Sequence, residues 1–135
     1  AEDPAQAGFV RHRQPPGERF APRQWPFSEN DLLDPRQREL GVYHRAPDIV
    51  DFSDPVAIQS GQMAGLDDLN TDNPLVRRAL RQSYGHWIRE VGVDAYRVDT
   101  AFYVAPDFFA DFMDAKDAAA PGLRAVAAST GRDQF

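Results

Sequence analysis

Apolar side chains recur at helical spacing after residue 73, with steps of three and four residues. Asn73 suits the N-cap of a helix and Pro74 its first turn. Gly92 can end the same helix in the left-handed conformation. The pattern therefore predicts an amphipathic helix from Pro74 to Val91. Its apolar stripe comprises Val76, Leu80, Tyr84, Trp87, Ile88 and Val91.

Beyond Gly92 the apolar positions alternate, and residues 93–99 (VDAYRVD) are predicted to form a short strand. Alternation puts Ala95, Arg97 and Asp99 on one face of that strand. Helix, tight turn, strand and helix in this order are typical of a parallel α/β unit. Asp99 then stands at the carboxyl end of the strand, which is the end that holds the chemistry in α/β barrels.

Two further helices are predicted downstream. One follows Pro106, and the other runs from Pro121 to about Ser129, with Gly131 closing it. The first of them carries an apolar face that is expected to pack against the sheet. This face consists of Phe108, Phe109, Phe112 and Met113.

The first half of the chain differs in composition, because most of the 11 prolines lie before residue 60. We expect loop up to about Gly65, with short extended pieces at Val42–His44 and Ile49–Phe52. Trp25 and Tyr43 in this half either stack on a sugar or, more often for such residues, anchor a loop to a core. The predicted organisation is a loop-rich segment over 1–65 and a helix–strand–helix part over 66–135.

An arginine and an aspartate within an otherwise apolar strand require an explanation. One interpretation is a structural salt bridge that caps the strand. In the other, Asp99 is a nucleophile or metal ligand, and Arg97 favours its ionised form. Burying such a pair at a barrel mouth is costly, and function is a common reason to retain it.

Composition narrows the possible partners. The chain has 135 residues, of which 42% are hydrophobic and 27% charged, so we expect a largely globular protein. A net charge of −6 argues against binding to nucleic acid. The arginines near the start also lie among prolines and without an aromatic platform; they are Arg11, Arg13, Arg19 and Arg23.

No apolar run is long enough for a membrane span. The chain has no cysteine, which excludes disulfides and thiolate metal sites and leaves the compartment open. Its first residues carry neither methionine nor a signal core, so we expect a removed leader or a piece of a longer chain.

Several short motifs resemble the α-amylase family of retaining α-glucan hydrolases and transglycosylases. They are LDDLN (Leu66–Asn70), the helix sequence NTDNPLVRRAL, and AYRVD (Ala95–Asp99). The resemblance implies that Asp99 is the nucleophile and Arg97 its regular neighbour, acting on an α-glucan or maltodextrin. It also implies about one quarter of a (β/α)8 TIM barrel around the fourth strand, preceded by a loop-rich piece of the domain inserted after the third strand.

The sequence departs from the family pattern after the nucleophile. Phe102 and Tyr103 stand where the family usually carries a lysine and then a histidine or tyrosine. The resemblance gives these two positions to substrate binding, and Phe102 is expected only to stack or pack. No residue matches the family's acid/base glutamate, its histidine–aspartate pair or its asparagine–histidine motif. We therefore expect a fragment that is inactive without the remainder of the parent barrel. The rival hypothesis is a non-enzymatic interaction or binding module that reuses a helix–strand–helix unit.

No cofactor is predicted to be required, although Ca²⁺ remains open. The resemblance puts Asp68 at a position that binds calcium in some family members, and the sequence around it is rich in oxygen ligands. The alternative is turn and capping chemistry before a helix. His12, His44 and His86 are too widely separated to predict a zinc site. His86 is expected on the outer face of its helix.

Overall fold

The computed structural model describes residues 22–31, 33–132 and 135. The part of the predicted loop within residues 1–21 lies outside the described residues, and so do Arg11, Arg13 and Arg19. Two compact units divide the chain, Ala1–Asn73 and Pro74–Phe135. None of the described helices is long and apolar enough to cross a membrane.

The first unit contains two short helices, α1 (Pro35–Leu40) and α2 (Pro55–Ser60). Each follows an aspartate that caps it: the Asp34 carboxylate accepts the N–H of the second helical residue of α1, and Asp54 does the same for α2. Each also begins with proline, whose fixed φ suits the first turn. The first half was predicted to be loop with short interruptions, and at these two places the interruption is a helix rather than an extended piece.

Of the two extended pieces expected in this unit, Val42–His44 contains an isolated bridge, whereas Ile49–Phe52 contains none and directly follows one. Tyr43 pairs with Leu69 in antiparallel fashion, and Asp48 pairs with Gln62 in parallel fashion. The amide side chains of Asn70 and Asn73 hold the end of α1, since both donate to the carbonyl of Gly41. The buried side chains of this unit include Val42, Ile49, Ile58 and Gln62.

The helices of the second unit follow the predicted pattern. Helix α3 spans Pro74–His86 and continues as a π-helical turn over Trp87–Val91, after which Gly92 adopts φ 80°. A 3₁₀ turn at Ala101–Tyr103 precedes α4 (Pro106–Asp114) and α5 (Leu123–Ser129). Gly131 has φ 81°, as expected of a residue that closes a helix.

The predicted strand at residues 93–99 is not formed. Residues 94–99 make no backbone–backbone hydrogen bond to any described residue, and the described chain contains only isolated bridges. A strand exists only when a second segment pairs with it, and no described segment makes backbone hydrogen bonds with residues 94–99. The α/β prediction is thus confirmed for the helices and not for the sheet.

Helices rather than a sheet cover the core of the second unit. Phe108 and Phe112 stack with ring centroids 5.4 Å apart, while Phe109 and Met113 pack at the edge of the same core. The expected packing of this face on a sheet is wrong for the described residues, because α4 packs on α3 and α5. The fully buried members of the core include Ile88, Leu123, Val126 and Ala127.

The predicted stripe on α3 is only partly correct. Val76 and Ile88 are fully buried, whereas Trp87 and Val91 are more than half exposed. Both exposed residues lie in the π-helical turn, whose periodicity differs from 3.6 residues, so that of its stripe residues Ile88 alone stays buried. His86 is exposed, as predicted.

A buried arginine connects α3 to the segment between α4 and α5. The Arg81 side chain is 6% exposed and donates through Nε to the carbonyl of Ala120 at 2.7 Å. Its guanidinium also pairs with Asp111 on α4, and Nη2 lies 3.5 Å from a carboxylate oxygen of Asp117. The charge is therefore neutralised inside the unit, as a buried arginine requires.

Candidate functional site

Arg97 and Asp99 form an ion pair on the extended segment before the 3₁₀ turn. Arg97 Nη2 lies 3.7 Å from Asp99 Oδ2. The two side chains are 90% and 83% exposed, so the expectation of a buried pair is wrong for the described residues. No described segment covers this stretch, and solvent screens the attraction between the two charges. The pairing itself is as predicted.

The residue after Asp99 has an uncommon backbone conformation. Thr100 adopts φ 54°, in the left-handed region that β-branched residues rarely enter. Its N–H donates to Asp99 Oδ1 at 2.8 Å. The two carboxylate oxygens of Asp99 therefore face different partners, the Arg97 guanidinium and the Thr100 amide.

Tyr96 ties this segment to α3 and was not predicted as a site residue. Its hydroxyl donates to the carbonyl of Tyr84 at 2.6 Å. Its ring meets the Tyr84 ring edge-on, with centroids 4.8 Å apart, and the Phe135 ring at 5.7 Å. Burial raises the pKa of Tyr96, and the neighbouring Tyr84 adds to the effect. The only indication of this contact in the sequence is the alternation, which puts Tyr96 on the face of the predicted strand opposite Arg97 and Asp99.

The two predicted substrate-binding residues lie in the 3₁₀ turn. Phe102 is 75% exposed and Tyr103 is half-buried. Their rings meet edge-on with centroids 5.7 Å apart. An exposed aromatic ring offers a flat apolar face, which suits stacking on a sugar ring and equally suits packing against a protein neighbour.

Asp68 belongs to the first unit and has a histidine partner. His44 Nδ1 lies 2.6 Å from Asp68 Oδ2, and the two backbones also meet, with His44 N–H donating to the Asp68 carbonyl. Nearby amides serve turns and caps: Asn70 Oδ1 accepts the N–H of Asp72, and the Asn73 amide caps α1. Among the described residues, no three His, Asp or Glu side chains converge where they could hold a metal ion.

Tyr43 anchors a loop. Its hydroxyl donates to the carbonyl of Phe27 at 2.7 Å, and burial raises its pKa, with a further contribution from Asp67. Trp25 is 58% exposed. A polar cavity of about 70 Å³ lies beside Tyr43 and His44. It is far below the roughly 300 Å³ of the smallest ordinary ligand pockets, so it does not accommodate a sugar.

Comparison with known sequences gives the family. The sequence model described as "Alpha amylase, catalytic domain" matches residues 59–128, which include Asp99 and the 3₁₀ turn. An alpha-amylase of Streptomyces lividans is 35% identical over 75 residues, covering 56% of this chain and 7% of the relative. A beta/alpha-amylase of Paenibacillus polymyxa is 36% identical over 77 residues, covering 54% of this chain and 6% of that protein. The chain thus spans a small part of the length of these relatives.

A solved structure with a similar fold is also an alpha-amylase. The crystal structure of an alpha-amylase from Geobacillus thermoleovorans, complexed with acarbose, superposes with a TM-score of 0.58 and 28% sequence identity. The superposition covers 77% of this chain and 20% of that protein. Because the catalytic domain of the family is a TIM barrel, the comparisons imply a part of such a barrel. The chain belongs to the alpha-amylase family of glycoside hydrolases, and its matched residues are part of the family's catalytic domain.

Proposed function

We propose that the chain supplies the nucleophile strand of a retaining α-glucan hydrolase or transglycosylase, with Asp99 as the nucleophile. The observation that carries this proposal is the pair at Arg97 and Asp99 within the family match. The Asp99 carboxylate is exposed, and both of its oxygens face a hydrogen-bond donor or a cation. An exposed carboxylate beside an arginine suits the role of a nucleophile.

The reaction would be a double displacement. A carboxylate oxygen of Asp99 attacks the anomeric carbon, the glycosidic bond breaks, and the leaving alcohol takes a proton from an acid. The same acid, now a base, then removes a proton from the water or sugar hydroxyl that releases the covalent intermediate. The second carboxyl of a retaining site lies about 5–5.5 Å from the first. No residue of this chain is assigned to that role.

Residues 93–99 would be the fourth strand of the barrel, and residues 1–65 the end of the domain inserted after the third. The unpaired backbone of this segment supports a need for neighbouring strands, because parallel strands are normally paired and buried on both faces. The exposed apolar side chains of the same unit support it as well. They are Trp87, Val91, Val98 and Phe102. The partner we propose is the remainder of the parent barrel, and the isolated chain should be inactive.

The substrate we propose is an α-glucan or maltodextrin. The relatives carry the names alpha-amylase and beta/alpha-amylase, and the structural neighbour is complexed with acarbose. Phe102 and Tyr103 would contact sugar rings beside Asp99. The assignment of Ca²⁺ to Asp68 stays a prediction, and no step of the reaction is routed through it.

The test uses the product of the natural reading frame, assayed on maltodextrin by proton NMR. Retention predicts that the α-anomer appears first in the released sugar. Asp99→Asn should lower the rate by several orders of magnitude, since the amide is a poor nucleophile. Asp94→Asn is the matched control, because Asp94 is an equally exposed aspartate of the same segment. It should stay within about twofold of the unsubstituted protein, as surface substitutions usually do.

Two outcomes would contradict the proposal. One is an unchanged rate in the Asp99→Asn protein, and the other is release of the β-anomer first. The 135-residue chain assayed alone provides a separate check. Maltodextrin cleavage by that chain, abolished by Asp99→Asn, would refute the expected need for the rest of the barrel.

A further inference from the structure

We infer that Arg132 is a positioning residue, whose guanidinium joins the carboxyl ends of helices α3 and α5 and thereby sets the register between the nucleophile strand and the strand that follows α5. The inference rests on the proposed role of Asp99 as nucleophile. It concerns an arginine outside the residues that the family model matches, since that match ends at residue 128.

The first support is the way Arg132 reaches from one helix end to the other. On the side of α5, its backbone N–H donates to the Ala127 carbonyl at 3.1 Å, and its Nη1 donates to Thr130 Oγ1 at 2.7 Å. On the side of α3, its Nη2 donates to the Gly92 carbonyl at 3.1 Å. The side chain is only 28% exposed, and a Cβ added at Gly92 would lie 2.9 Å from Nη2. The guanidinium therefore fits closely between two helix ends, where a cation also complements the helix dipole.

The second support is that the chain repeats one pattern at these two helix ends. The π-helical turn after α3 ends at Gly92 with φ 80°, and α5 is closed by Gly131 with φ 81°. Tyr96 and Phe135 are each the fourth residue after their glycine, and their ring centroids lie 5.7 Å apart. The glycines and the rings thus correspond position for position. This correspondence is expected of two neighbouring parallel strands that begin level with each other in a barrel.

The third support is that strand pairing alone leaves the register open. Side chains alternate with a period of two residues, so a slip of two residues keeps every side chain on its face and allows the same ladder to form. Such a slip moves one strand along the other by about 7 Å. Catalytic groups of a barrel come from the carboxyl ends of several strands, so the register decides where Asp99 stands relative to its partners. Arg132 selects one register, because it is fixed to α5 and bonds to a single carbonyl at the end of α3.

The contact of Arg132 with Asp94 contributes little to this selection. Nε lies 3.2 Å from Asp94 Oδ1, but the Asp94 side chain is 91% exposed, and solvent screens the pair. Asp94→Asn keeps the bond to the Gly92 carbonyl. It is therefore a control for the loss of charge without loss of the connection between the helices.

The register is tested with pairs of cysteines in the product of the natural reading frame, with any cysteine outside these 135 residues replaced by serine. Phe135→Cys is combined with Tyr96→Cys or with Val98→Cys, and disulfide formation is followed by mass spectrometry. Level residues of adjacent parallel strands have Cα atoms about 5 Å apart, which a disulfide spans, whereas a shift of two residues gives about 8 Å, which it does not. The pair at Tyr96 should therefore form much faster. In Arg132→Met this preference should fall about tenfold, as expected for loss of a charge-assisted hydrogen bond, and in Arg124→Met it should not change.

The second readout is the rate of maltodextrin cleavage per active site. A fluorinated α-glucosyl fluoride that stays attached to the nucleophile counts the active sites, so unfolded molecules do not enter the rate. Arg132→Met should lower kcat per site by about tenfold to a hundredfold, because a displacement of about 1 Å has an effect of this size, and KM should change much less. Arg124→Met, at an exposed arginine of the same helix, and Asp94→Asn should stay within about twofold of the unsubstituted protein.

Two results would overturn the inference. One is an unchanged kcat per site in Arg132→Met with fewer labelled sites, which would mean that Arg132 only stabilises the fold. The other is a cross-linking preference for Tyr96 over Val98 that is absent from the unsubstituted background or survives Arg132→Met. Cross-linking does not depend on sugar chemistry, so a failure of the proposed function would be seen separately, as a lack of labelling at Asp99.

Discussion

Replacing Arg81 with methionine should be the most damaging single change in the charged network of the second unit. The guanidinium is buried and joins α3 to α4 and to the segment before α5. Methionine keeps most of the aliphatic stem and removes the charge together with all the donors. The substitution therefore tests the polar connection with little change in packing volume.

The expected loss of stability follows from the polar groups that lose Arg81 as a partner. Ala120 is 1% exposed, and loss of the donor to its carbonyl costs about 1–3 kcal/mol. The carboxylates of Asp111 and Asp117 are 31% and 28% exposed, so they regain water and add little to the cost. We expect a loss of about 1–3 kcal/mol in the free energy of unfolding, a large share for a marginally stable domain.

Arg124→Met is the matched control. Arg124 donates twice to Asp114, at 2.6 and 2.8 Å, yet the two side chains are 59% and 51% exposed. Its removal should cost less than about 1 kcal/mol. Urea unfolding followed by far-UV circular dichroism measures both variants against the unsubstituted chain. The reasoning is refuted if the two methionine variants unfold at the same urea concentration, because burial would then not govern the cost.

Three further predictions test other features of the described chain. Gly122→Ala should destabilise by about 1–3 kcal/mol, because its Cβ would lie 2.4–2.6 Å from backbone atoms at the end of α4. Gly85→Ala, whose nearest contact is 3.3 Å, should change stability by less than about 1 kcal/mol, and equal effects in urea would contradict this. The pKa of Asp117 is lowered by an amide N–H and by an arginine, and that of Asp107 by hydrogen bonding to another arginine. The two carboxylates therefore contribute fully to the free energy of unfolding at pH values above their ordinary pKa of 3.8. This contribution is lost as the pH falls through their lowered pKa values in the folded state. In Asp117→Asn the free energy of unfolding should fall less steeply as the pH is lowered, and the same acid pH dependence as in the unsubstituted chain would refute this. Thr100→Gly should raise thermal stability by up to about 1 kcal/mol by relieving the positive φ, and a lower melting temperature would argue against strain there.

The helices of the second unit could be predicted because their signals are local. Pro74 and Gly92 are a first-turn residue and a C-terminal residue that act within a few positions of the helix. The Asp–Pro pairs before α1 and α2 carry the same kind of signal, and the loop interpretation overlooked it because prolines dominate that half. The π-helical turn that exposes Trp87 has no such local signature.

Long-range features of the site could not be predicted in the same way. Periodicity put Arg97 and Asp99 on one face, and they do pair, but whether they are buried depends on segments distant in sequence. The strand likewise depends on a neighbour that alternation cannot supply. The hydrogen bond from Tyr96 spans 12 residues, and that of Arg81 spans 39, so neither follows from spacing along one element.

The most direct test of the central claim is covalent trapping of Asp99. The product of the natural reading frame is incubated with a fluorinated α-glucosyl fluoride, whose fluoride leaves without protonation and whose ring fluorine slows release of the intermediate. Peptide mass spectrometry then locates the sugar. The account predicts one glucosyl ester on Asp99, absent in Asp99→Asn and retained in Asp94→Asn. A sugar bound to another carboxylate, or a protein that cleaves maltodextrin and is never labelled at Asp99, would contradict it.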